Sequence, residues 1–306
     1  MNEYTQIIFE LIIRSSKIYL GVFLGFLWIK SPLQKYRKEF VNFTISVFTP
    51  FLIFISILKI EDSSFWLFPL IAAILVTIIG LIFPTLLAKL FKQPKPDPAE
   101  ICTASFSNGL NFPFPIIFAF SPDGLGAAGI FLIMAIIMRN TVGLWISGMK
   151  LNKQSLKTII LFVPIWGIIL GIILRFLIPI NTTGFVNLSI IDMVFEIGIF
   201  ASLMTIGFGL EKPKFEYKLQ ILRVGVTRFI ISGLVAILFV NIFSLPAIIA
   251  IPILVQMMAP SAVYNGLYAE KFNLNTEMTS QIILALTLIA LILLPIELFM
   301  LQYMYF

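Results

Sequence analysis

Histidine is absent from this sequence, and cysteine occurs once, at Cys102. Those two absences exclude a disulfide within the chain, a Cys/His metal site and histidine-based catalysis. Cys102 itself reads most simply as a small apolar filler. Charge is scarce as well. Only 12% of the 306 residues are charged, where soluble domains carry about 25%. What stands in its place is 59% hydrophobic residues and a mean hydropathy of +1.04. Apolar runs long enough to cross a bilayer recur along the whole length, so the chain reads as an all-α integral membrane protein with lipid as its surroundings. The N-terminus lacks a basic leader followed by a clean apolar core, because Glu10, Arg14 and Lys17 interrupt it, and no cleaved signal peptide is expected. The formal charge of +6 lies mainly in short loops between apolar segments, so it reads as a topology signal and not as a nucleic-acid surface.

Ten spans of bilayer length can be drawn, centred near Leu20, Pro50, Thr77, Asn108, Ile137, Gly167, Ala201, Ser232, Ala259 and Ala290. The loops between them alternate in charge. One set holds sixteen Lys and Arg residues, among them Lys35, Lys95, Lys153, Lys214, Arg223, Arg228 and Lys271, and the opposite set holds Lys59 and Arg175. The positive-inside rule makes the rich set cytoplasmic and puts both termini outside, on a multi-pass cell-membrane protein. The basic loop around Lys153 divides the chain into halves, 1–152 and 153–306, of five spans each. Five is odd, so the second half enters the membrane in the opposite orientation, which is the arithmetic of an inverted repeat.

Two spans are interrupted, and they occupy equivalent places in the two halves. The fourth reads "SFSNGLNFPFPI", with Asn108, Gly109, Asn111, Pro113 and Pro115 in an apolar surround. The ninth reads "MMAPSAVYNGLY" and breaks at Ala259-Pro260-Ser261, with Asn265-Gly266 beyond. Proline removes an N–H and blocks the carbonyl one turn earlier. Groups freed in this way cannot face lipid and must be buried in protein or line a wet cavity. The half-helices after Pro113 and Pro260 would aim their N-termini inward, where partial positive charge and free N–H groups favour an anion. Side chains of Asn108, Asn111, Ser261 and Asn265 could donate to a carboxylate. Paired interruptions of this kind point to a substrate site, with Gly109, Pro113, Pro260 and the nearby Arg139 as further members.

The pattern resembles the auxin efflux carrier family, which includes prokaryotic malonate-type permeases. The resemblance rests on Asn108-x-x-Asn111-x-Pro113, on "FTPFLIF" in the second span, on "GIILGIILRFLIP" and "ASLMTIGFGL" in the sixth and seventh, and on "MMAPSAVYNGLYAEKF" with the tenth span after it. It implies ten transmembrane helices in two inverted repeats, with broken, crossing fourth and ninth helices. It implies a scaffold of about residues 1–62 and 156–212 that forms a homodimer. A transport unit of about 63–152 and 213–306 would carry a small organic anion, such as a mono- or dicarboxylate or an auxin-like acid, by an elevator-type movement. The third span lacks the acidic residue of plant members, so plant-like coupling does not carry over.

Other intramembrane charges have blander readings. Arg139 serves either the anion or a structural clamp. Asp192 and Glu196, spaced i, i+4, line an outer vestibule or pair with another helix, with coupling-ion binding as the alternative, and Glu10, Arg14 and Lys17 share one helix face and pair internally. Glu297 belongs near the outer interface, with a proton site as the alternative. "NTT" at Asn181 fits a glycosylation acceptor. No enzyme, cofactor or metal is expected. The alternative to an anion carrier is a sodium-coupled symporter or a cation/proton antiporter of related architecture.

Overall fold

The computed structural model describes residues 3–58, 66–148, 161, 163–177, 189–210 and 216–305. Among them it is all-helical. In chain order the helices are α1 (Glu3–Ile29), α2 (Pro32–Leu58), α3 (Leu67–Leu90), α4 (Pro98–Ser105), α5 (Pro113–Phe120) and α6 (Pro122–Ile146). After them come α7 (Pro164–Leu177), α8 (Ser189–Phe208), α9 (Lys218–Ile242), α10 (Ala247–Met258), α11 (Tyr264–Lys271) and α12 (Thr276–Tyr305). Six of these, α2, α3, α6, α8, α9 and α12, are long and apolar enough to cross a membrane. The basic loop around Lys153 and the "NTT" at Asn181 lie outside the described residues.

Local chemistry sets several helix starts. Ser31 caps α2, its Oγ accepting from the Leu33 amide, with Pro32 in the first turn. Asp97 accepts from the Ala99 amide at the start of α4, again with proline next, and Asn275 accepts from Met278 at the start of α12. Within the helices Thr77, Ser202 and Thr287 return their hydroxyls to the carbonyl four residues back, so they carry no polar demand into the bundle.

Packing is pairwise. Helix α1 lies along α8, and α2 lies along α7. Small residues let these backbones approach. A Cβ added to Gly25 would stand 2.1 Å from the Met204 carbonyl oxygen, and one on Gly167 would stand 2.2 Å from that of Pro50. With little hydrophobic drive between helices in lipid, such close seams supply the dispersion contact that joins them. The rest of the bundle gathers around the interrupted elements. Helix α3 packs on α4 and α6, while α10 packs on α5, α6 and α9. The largest apolar cluster runs through this region, from Leu52 and Ile53 to Phe114, Phe131, Leu254 and Leu294.

Candidate functional site

The chain is extended between α4 and α5 and again between α10 and α11, and there the two interruptions meet. Ser107 and Ser261 form an isolated antiparallel bridge. Its hydrogen bonds run from the Asn108 amide to the Pro260 carbonyl at 2.8 Å and from the Ala262 amide to the Phe106 carbonyl at 3.0 Å. The register centres on Ser107–Asn108. Asn111 and Pro113 lie further along, and Pro113 is buried at the start of α5.

The interruptions leave backbone carbonyls without helical partners, and side chains take several of them up. Asn265 Nδ2 donates to Phe106 O at 3.0 Å and to Ser261 Oγ at 2.9 Å. Gln256 Nε2 donates to Gly109 O and to Ala128 O, each at 3.0 Å. Arg228 donates Nε and Nη2 to Ala259 O, at 3.0 and 2.6 Å, and Nη2 to Met257 O at 3.0 Å. Ser261 and Asn265 therefore brace the crossing, and neither lies on the wall of the cavity beside it. Pro260 and Pro113 are likewise buried behind that wall.

The cavity has a volume of about 600 Å³. Asn108, Gly109 and Asn111 border it from the first interruption, Ala262, Val263 and Tyr264 from the second, and Leu132, Ile136 and Arg139 from α6. Helix α2 and the end of α8 supply the facing wall, from Lys35, Arg37 and Lys38 at one end to Thr49, Thr205 and Phe208. The N-terminal ends of α5 and α11 thus both border one space. They differ in what they offer. Pro113 and Pro115 have no N–H, the Phe114 amide is bonded to Leu110 O, and the Asn111 amide is bonded to Asn108 Oδ1. The first interruption contributes its dipole and the Asn108 and Asn111 side chains, with few open amides, contrary to the donor-rich terminus read from the sequence.

Arg139 supplies the full charge. It is buried, its Nη2 reaches Ser107 O at 3.4 Å, and its guanidinium lies over the rings of Phe106 at 5.9 Å and Tyr264 at 5.5 Å. Among the described residues no carboxylate pairs with it, and its Nε has no hydrogen-bond partner. Among the described residues no Asp or Glu borders the cavity, whereas Lys35, Arg37, Lys38 and Arg139 do.

Other charges fall elsewhere. Asp192 and Glu196 are on the exposed face of α8, Lys17 is exposed, and Glu297 is buried within the bundle. The side chains of Glu10 and Arg14 lie outside the described residues. Arg223 and Arg228, counted with the basic loops on sequence, are buried in α9. Five and ten residues past Lys218, they are carried into the protein by the helix, where charge counting alone cannot separate them from the loop. Tyr264, Gln256 and the mouth residues Lys35, Arg37 and Lys38 were not anticipated as neighbours of the crossing. Only the basic run around Lys35 carried a sequence signal.

Membrane-length apolar helices, two interrupted helices that meet, and a basic cavity beside the meeting point define a multi-pass membrane transporter. A family model described as membrane transport protein matches residues 147–298, the family that the resemblance to auxin efflux carriers indicated. The matched segment runs from the end of α6 into α12 and includes Arg228, Pro260, Ser261 and Asn265. No individual curated protein matches the chain.

Proposed function

We propose that the chain is a secondary carrier for a small organic anion, with the cavity between the interruptions and α2 as its substrate site. The observation that carries this reading is Arg139. A buried guanidinium without a carboxylate partner is costly, and a cavity wall gives it an anion to meet. The apolar lining from Leu132, Ile136, Val41 and Phe208 suits the carbon skeleton of an organic acid, with Asn108 and Asn111 as hydrogen-bond donors. A cation/proton antiporter would want a carboxylate in this space, and among the described residues none borders it.

The inverted-repeat, ten-span arrangement is supported by the pairing of helices. If α7 and α2 correspond to α1 and α8 in the opposite half, the α1–α8 and α2–α7 seams are the same contact made twice. The four helices so joined are our scaffold. The others, gathered on the crossing, are our moving unit. The cavity lies where these two groups face each other, as alternating access by an elevator-type movement requires. Glu196, exposed on α8 among Met193 and Ile197, supports a homodimer through the scaffold, since a carboxylate is poorly placed against lipid. With the basic end of the cavity toward the cytoplasm, both termini are outside.

Proteoliposomes containing the purified chain test the reading. Counterflow of labelled mono- and dicarboxylates should be measurable, organic amines should not compete, and Arg139→Ala should lower substrate affinity by at least about tenfold. Competition by amines that survives Arg139→Ala would put the sign of the site the wrong way round.

A further inference from the structure

Arg228 has no part in the cavity wall, and the substrate reading leaves it unexplained. It is fully buried, midway along an apolar helix. Arg223, one turn earlier, has an ordinary explanation. Arg223 makes a two-pronged ion pair with Glu100, at 2.8 and 2.7 Å, and also donates to Pro94 O and Gln93. Among the described residues Arg228 has no carboxylate. All three of its hydrogen bonds go to Met257 O and Ala259 O.

Those two carbonyls are the C-terminal end of α10. The last carbonyls of a helix have no partner in their own helix, and they carry the negative end of its dipole. Pro260, which follows, has no N–H to close the turn. In ion-coupled carriers the unwound carbonyls and C-terminal ends of interrupted helices coordinate the coupling cation. Here a guanidinium, which stays protonated inside a protein, lies on them. Helix α9 is shaped around it. Residues Val226–Ile231 form a π-turn, a feature that concentrates at functional sites, and Thr227 and Ser232 hydroxyls occupy the Arg223 and Thr227 carbonyls beside it. The equivalent end of α4 is treated differently. Its Phe106 carbonyl takes the neutral Asn265 amide, and its Ser107 carbonyl takes Arg139.

We propose that Arg228 is a tethered cation that stands at the α10 terminus in place of a bound metal ion, holding the extended 259–263 segment in position. Arg228 is a positioning residue. The segment it holds carries Ala262, Val263 and Tyr264 to the cavity wall. The crossing therefore keeps its shape without sodium. The structural half of this proposal is independent of the carrier reading; only its consequence for transport rests on that reading.

Purified protein in detergent gives the test. The melting temperature of the unaltered chain should be the same in sodium, potassium and choline chloride. Arg228→Ala should melt lower by on the order of 10 °C, and millimolar guanidinium should restore a measurable part of the loss in this variant alone. Arg228→Lys should fall between the two. An Arg228→Met variant as stable as the unaltered chain would overturn the proposal, because an apolar side chain would then hold the segment equally well. So would stabilisation of the unaltered chain by sodium over choline. Should Arg228→Ala fail to accumulate, Arg228→Lys, Arg228→Met and the salt series still decide. Flux in proteoliposomes forms a separate arm. Absence of any anion flux would count against the carrier reading and leave the melting data intact. Flux by the unaltered chain that requires sodium would count against Arg228 as the substitute cation.

Discussion

Polar side chains at the crossing divide between two jobs, and the division is set by what each atom touches. Gln256 and Asn265 give their amides to backbone carbonyls inside the protein, whereas the Asn111 side chain makes no hydrogen bond among the described residues and borders the cavity. Substitutions should separate the two classes. Gln256→Leu keeps the volume but leaves Gly109 O and Ala128 O without their donor. It should cost about 2–4 kcal/mol and lower the melting temperature by several degrees. Asn111→Ala should leave the melting temperature within a degree or so and weaken substrate binding by roughly ten- to a hundredfold, the worth of one hydrogen bond to a charged group. Melting and binding measured on the same two purified variants check both halves. Equal melting losses would show that Asn111 is a brace like Gln256. The residue types at the breaks were legible in the sequence, because Asn, Gly and Pro are out of place in an apolar helix. Their separate jobs were not, because the carbonyls that Gln256 and Asn265 take up, those of Gly109, Ala128 and Phe106, lie far from them in sequence.

At the scale of elements the interruptions themselves were the clearest signal, and the structure has helix ends on both sides of each. The register of the crossing could not be read. Proline marks where a helix stops, but which residue of one extended segment faces which of the other depends on how α10 seats against α5 and α6. The seams between long helices were half legible. Small residues in "GFGL" mark close packing, but not the partner. A Cβ on Gly207 would stand 2.0 Å from Val22 O, where α8 meets α1, and one on Gly25 meets the same seam from α1. At Gly129 in α6 the nearest atom would be 3.8 Å away, an ordinary contact. Gly25→Ala and Gly207→Ala should therefore force α1 and α8 apart, with lost expression or a melting temperature lower by about 10 °C. Gly129→Ala should be neutral or gain up to about 1 kcal/mol from helix propensity. A thermal-shift comparison of the three decides, and an unaffected Gly207→Ala would mean that the α1–α8 seam opens without cost.

At the scale of the whole molecule, hydropathy announced a bundle of membrane helices, but it could not say which helices face each other across the cavity. That arrangement follows from two seams and one crossing, all made between segments far apart in sequence. It has a consequence for access. The cavity runs from Arg139 and the two interruptions to Lys35, Arg37 and Lys38, so in this conformation the site communicates with the basic end of the molecule. Under the proposed orientation that end is cytoplasmic. Single cysteines at Lys35 and Ile136, each in a Cys102→Ser background, report on it. Both should react with an impermeant maleimide in inside-out vesicles, and Lys35→Cys should resist the reagent in intact cells. A transported carboxylate should protect Ile136→Cys and leave Lys35→Cys, at the mouth, open to label. Elevator movement adds a second expectation. With substrate on the outer face, Ile136→Cys should become reactive from outside as the unit carrying α6 moves past α2 and α8, while Lys35→Cys on the static α2 should not change sides. Reactivity of Lys35→Cys in intact cells would reverse the topology. Ile136→Cys that never reacts from outside, under any substrate gradient that drives flux, would rule out movement of the site across the membrane with α6.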